Sequence, residues 1–84
     1  MHQKHEITAK IITLVKAQLE ELSESPVTID IDPLSSFEDL GFDWLAMTHF
    51  MMEVEQEFSI IINEKDAQSC INVQSVIDYL SNQS

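Results

Sequence analysis

Between residues 47 and 58 the apolar side chains Met47, Phe50, Met51, Val54 and Phe58 fall at i, i+3, i+4, i+7 and i+11, a spacing that a helix turns into one continuous face. Val73, Val76, Ile77 and Leu80 repeat the i, i+3, i+4, i+7 pattern near the end of the chain. A third stripe, Ile7, Ile11, Leu14, Val15 and Leu22, is widened by Ile12 and Leu19. In a chain of 84 residues, such stripes are satisfied by helices that bury them against one another. A domain of this size hides only roughly 60 to 65 % of its unfolded surface, so the core must be compact. The patterns predict a first helix from His5 to about Leu22 and a second from about Asp43 to Phe58. A short third helix fits within Glu64–Cys70, and a last helix follows Asn72 and ends at the polar tail Ser81-Asn82-Gln83-Ser84. Residues 1–84 thus read as one all-α domain.

The boundaries have local causes. The first helix is weakly capped at its start and is stopped by Ser23-Glu24-Ser25-Pro26, since proline disfavours helix in the residue before it. Asp43 and Asn72 are good N-caps for the second and last helices. Residues 23–42 contain both prolines and the only glycine, and a connection that long belongs in a small domain only if it is packed or functional. Ile29, Ile31, Leu34, Phe37 and Leu40 are spaced as anchors for it, and Ser36 with Asp39 can nucleate a turn. The alternating segment Val27-Thr28-Ile29-Asp30-Ile31 has only Ile60-Ile61-Ile62 as a strand partner, and a two-stranded pair is marginal. The isoleucines of the Ser59–Asn63 connector are expected to be half-buried, and Cys70 to point inward as a small hydrophobe.

Charge narrows the partners. Four lysines, no arginine and fifteen carboxylates give a net charge of −11, which repels nucleic-acid phosphates and anionic lipid and attracts basic protein surfaces. A composition 44 % hydrophobic at helical spacing argues against disorder. The first segment mixes Lys4, Glu6, Lys10 and Lys16 with its isoleucines, so neither a signal peptide nor membrane insertion is expected. A single cysteine forms no internal disulfide and suits a reducing, cytoplasmic setting.

Candidate chemistry is sparse. His2, His5 and His49 lack the spacing of metal ligands. Asp30-Ile31-Asp32 opens like a calcium loop, but the sixth position is Ser35 where glycine is needed and the twelfth is Gly41 where glutamate belongs. The carboxylates lie on solvated faces with no evident pocket to perturb them, and His49 with Glu53 at i+4 reads as an exposed helix pair. A free-standing enzyme is not expected. The outer face of the second helix is more informative. At about 100° per residue, Leu45, His49, Met52 and Gln56 project opposite the core stripe, with Trp44 and Thr48 on the flank. Leu45 and Met52, ringed by Glu53, Glu55, Asp39 and Asp43, form a candidate partner-binding patch; singly exposed apolar residues are otherwise ordinary.

Three segments in order carry a family resemblance: Asp39-Leu40-Gly41-Phe42-Asp43-Trp44-Leu45, Glu53-Val54-Glu55-Gln56-Glu57-Phe58, and Asn72-Val73-Gln74-Ser75-Val76-Ile77-Asp78-Tyr79-Leu80. Over nearly its whole length the chain resembles the acyl carrier proteins and their peptidyl and D-alanyl carrier relatives. The resemblance implies a small right-handed four-helix bundle with a long first loop and a short third helix. It further implies a second helix that docks on basic patches of enzymes such as a ketosynthase, dehydratase, thioesterase or acyltransferase. The resemblance indicates Leu45, His49, Met52 and Glu53 with Asp43 beside them as the docking face, and helical geometry adds Trp44 and Thr48 on its flank, so all seven are the expected partner-binding residues.

The departure lies at residue 44. The family places a serine there, whose hydroxyl takes 4′-phosphopantetheine; tryptophan has an N–H donor and no oxygen nucleophile. Ser35, Ser36, Ser59, Ser69 and Ser75 lie outside the required helix-start context. The expectation is a degenerate carrier that binds no cofactor and acts by docking as a partner or regulator of a fatty-acid, polyketide or related biosynthetic enzyme. The alternatives are a genuine carrier whose serine was replaced, naturally or by engineering, and a Trp44 that folds back beside Phe37 and Phe42 as additional core.

Overall fold

A computed structural model describes residues 3–23 and 31–82. Helices α1 (Lys4–Ser23), α2 (Trp44–Phe58), α3 (Glu64–Ser69) and α4 (Val73–Ser81) follow in order, and no strand joins them among the described residues. The architecture is the expected all-α four-helix bundle with a short third helix. Helix α1 packs on both α2 and α4, and Ile7, Ile11 and Val15 share one core with Phe50, Val54, Val73, Val76 and Ile77, all fully buried. Burying side chains of this size stabilises the fold by about 1.5–3 kcal/mol each. No described helix is long and apolar enough to cross a membrane.

Several expectations about the stripes need correction. Leu22 is exposed in the last turn of α1, and Gln18 takes the buried position one turn earlier. It lies three residues after Val15, on the same face, and its amide finds a partner on α2. On α2 the buried residues are Ala46, Phe50, Met51, Val54 and Phe58, so Ala46 joins the expected stripe while Met47 is half-buried at its edge. Ile61 is 90 % exposed, contrary to its expected burial, while Ile60 and Ile62 are half-buried. The extended connector directs alternate side chains to opposite sides.

The described part of the first loop is organised by turns. Asp32 Oδ1 accepts from Leu34 N at 2.9 Å, and Ser36 Oγ accepts from Asp39 N at 3.0 Å, so the Ser36–Asp39 turn forms as expected. Phe37 N donates to Ile71 O and Gln74 N to Pro33 O, both at 2.9 Å, which ties the loop to the α3–α4 junction. Ser36 and Asn72 form an isolated antiparallel bridge there. Ile31 and Phe37 are buried anchors and Leu40 is partly buried, but Leu34 is 72 % exposed; its backbone serves the Asp32 turn while its side chain faces water. Ile29 and most of the candidate strand Val27–Ile31 lie outside the described residues, and Ile60–Ile62 forms no strand.

Among the described residues two adopt positive φ, Gly41 at 97° and Ser59 at 55°. Open space surrounds the place a Cβ would occupy at Gly41, so the glycine answers to conformation and not to crowding. Gly41→Ala is expected to lower stability by about 1–2 kcal/mol. Ser59→Gly, at the left-handed C-cap of α2, is expected to raise it by about 0.5–1 kcal/mol. Urea unfolding of the two variants beside wild type measures both signs.

Candidate functional site

The site begins with a reversal of direction along three residues. Phe42 is buried, and its backbone N–H reaches Phe37 O at 3.0 Å. Its ring lies 5.2 Å from Phe37 and 5.8 Å, edge-on, from Phe50. Asp43 follows in extended conformation and caps α2, with Oδ1 accepting from Ala46 N at 2.8 Å. Trp44 is then the first helical residue and points outward, 80 % exposed, with Leu45 beside it at 68 %. Thr48 Oγ1 donates to Trp44 O at 3.0 Å. The alternative in which Trp44 joins the core is therefore overturned: Phe37, Phe42 and Phe50 contact one another and leave the indole outside.

Met52 is half exposed two turns along, so Trp44, Leu45 and Met52 share an accessible apolar surface with Thr48. His49 and Glu53 are differently engaged. The His49 Nε2 to Glu53 Oε1 distance is 3.2 Å, matching the expected helix pair. His49 Nδ1, however, hydrogen-bonds Gln18 Oε1 at 2.9 Å and lies 3.9 Å from Glu21. His49 is thus drawn to the α1 side of the face, a contact that periodicity on α2 alone does not foretell.

A cleft of about 740 Å³ opens beside Trp44 between α2 and α3, floored by Met47, Met51, Ala67, Cys70 and Ile71. Glu38, Asp43, Glu55 and Glu64 also line it, a recess that the sequence did not reveal. Glu55 is partly committed, since its Oε2 accepts from Ile62 N at 2.7 Å and pins the α2–α3 connector. Tyr79 on α4 donates to Asp66 on α3 at 3.1 Å, holding the far wall. Sequence periodicity missed this cleft because α3, at six residues, is too short to display a stripe. Cys70 points inward as expected, and burial, with the Asp66 carboxylate adding to it, pushes its thiol pKa up. No group of side chains suited to holding a metal ion occurs among the described residues.

The family described as the phosphopantetheine attachment site matches residues 9–80. The chain belongs to the acyl carrier protein family. An acyl carrier protein of Nitratidesulfovibrio vulgaris strain DSM 19637 / Miyazaki F is 38 % identical over 77 residues, covering 90 % of this chain and 95 % of that protein. Another, from strain DP4, is 44 % identical over 54 residues, covering 63 % of this chain and 71 % of that protein. Acyl carrier protein 4, chloroplastic, of Cuphea lanceolata is 36 % identical over 77 residues, covering 92 % of this chain and 52 % of that protein. The family cofactor is 4′-phosphopantetheine, and the side chain at residue 44 does not fit it. Indole offers no hydroxyl for a phosphodiester.

Two outcomes test the geometry. Asp43→Ala is expected to cost about 0.5–2 kcal/mol by exposing the α2 N-terminus, while Asp43→Asn keeps most of the cap; urea titration distinguishes them. The folded-state pKa of Cys70 lies above its unfolded value, so the associated stability is fully present below about pH 9.0 and is lost as pH rises through the folded pKa. Unfolding titrations from neutral to alkaline pH should show this loss, and Cys70→Ala should reduce it.

Proposed function

We propose that this chain is an acyl-carrier-like binding module that takes no phosphopantetheine and acts as a partner or regulator of a fatty-acid, polyketide or related biosynthetic enzyme. The observation that carries this reading is the exposed Trp44 at the first position of α2, where the family resemblance places the attachment serine. Asp43, Trp44, Leu45, Thr48, His49, Met52 and Glu53 form the docking face. Its apolar centre and acidic surroundings suit a basic or mixed basic and apolar patch on a ketosynthase, dehydratase, thioesterase or acyltransferase. Tryptophan is the residue type most enriched at interface hot spots and brings about 150–250 Å² of contact surface. The role is binding, not catalysis.

A second reading is favoured by the family match running through both sides of residue 44: a carrier of fatty-acid or polyketide biosynthesis whose attachment serine has been replaced by tryptophan. The two separate experimentally. Incubation with coenzyme A and a promiscuous phosphopantetheinyl transferase should leave the intact mass of wild type unchanged; a gain of the arm's mass refutes the binding-module reading. Trp44→Ser should accept the arm and then an acyl thioester if the replaced-carrier reading is correct. A binding module instead gives a complex that survives purification and no longer does so on Trp44→Ala, which weakens it, or Leu45→Glu. Its association should weaken with salt through the acidic surface while the apolar contribution of Trp44 persists.

A further inference from the structure

The indole at residue 44 has a fixed pedestal and no role in its own fold. Asp43 caps the helix beneath it, and Thr48 binds its carbonyl. Yet the ring is 80 % exposed, and the adjoining cleft remains open. Leu45 and Met52 extend the apolar surface, while Glu53 lies on the same helix, Asp43 at its cap and Asp39 on the loop that leads into it. An occupant is therefore apolar at its centre and basic at its rim. A second copy of this chain is disfavoured because it brings another net charge of −11.

Position narrows the partner further. An enzyme served by a phosphopantetheine carrier must turn an opening towards the point of attachment, because the arm can reach a reaction centre only through such an opening. If the same face docks here, that opening meets Trp44. We infer that Trp44 plugs the arm-accepting opening of an enzyme whose substrate arrives on phosphopantetheine, closing that enzyme to loaded carriers. This inference rests on the docking reading above. The indole matches the opening in chemistry: its apolar body fits a passage for methylene groups, and its N–H can donate to an acceptor that serves the arm's amides. Docking alone would exclude a competing carrier; a plug also excludes a small substrate that needs no docking surface.

That difference defines the experiment. Immobilised wild-type protein is used to isolate the enzyme from a lysate of the source organism, with Leu45→Glu as the control that should release it. Turnover is then measured with acyl-pantetheine, a soluble thioester that uses the opening without the docking face. Saturating wild type is expected to abolish this turnover. Trp44→Ala, expected to bind about ten- to thirtyfold more weakly, is added at a concentration shown by direct titration to saturate the enzyme. It should still block a loaded carrier while leaving acyl-pantetheine turnover at its uninhibited rate. Unimpaired acyl-pantetheine turnover with wild type bound overturns the plug and leaves docking intact. Equal inhibition by Trp44→Ala also overturns the plug, and failure to retain any phosphopantetheine-dependent enzyme overturns both readings.

Discussion

Phe50 lies at the centre of α2 and is fully buried, and the placement of the functional face depends on its two aromatic neighbours. Phe37 and Phe42 come from the loop, with ring centroids 5.3 and 5.8 Å from Phe50. Such pairs add about 0.5–1.5 kcal/mol beyond area burial. Through them a segment with few regular backbone hydrogen bonds acquires a fixed end. Phe42 held inward places Asp43 at the helix cap, and Asp43 at the cap makes Trp44 the first helical residue. The most exposed feature of the site is thus oriented by its most buried contacts.

The charged and polar groups around α2 divide into two sets. His49 is coupled to α1 through Gln18, and Glu55 holds the connector at Ile62. These groups help set the spacing of α2 against its neighbours. Asp39 remains exposed on the loop and Asp43 at the helix cap, close to Trp44 and Leu45. Acidic side chains therefore serve the internal arrangement at some positions, as Glu55 does, and remain exposed to solvent at others.

Membership of the acyl carrier protein family joins two properties in one small bundle: a surface that enzymes recognise and an atom that bears cargo. The proposed binding role separates them. In that proposal recognition rests on the face of α2, whose N-terminal backbone is set by the Asp43 cap and the aromatic cluster. Carrying requires one hydroxyl at the helix start, and the indole there supplies contact area instead.

The amino-acid sequence alone determined the helical stripes, the caps at Asp43 and Asn72, the Ser36–Asp39 turn and the family resemblance, because each depends on spacing or residue type over a few positions. It also placed Leu45 opposite the core stripe, with Trp44 on the flank, since helical periodicity fixes direction once the helix register is known. Only the tertiary structure decided that Phe37, Phe42 and Phe50 would satisfy one another and leave Trp44 outside, that Gln18 would be buried against His49, and that α2 and α3 would enclose a cleft. Those outcomes join residues distant in the chain, and their energies depend on complementary shapes and paired polar groups that no local pattern records.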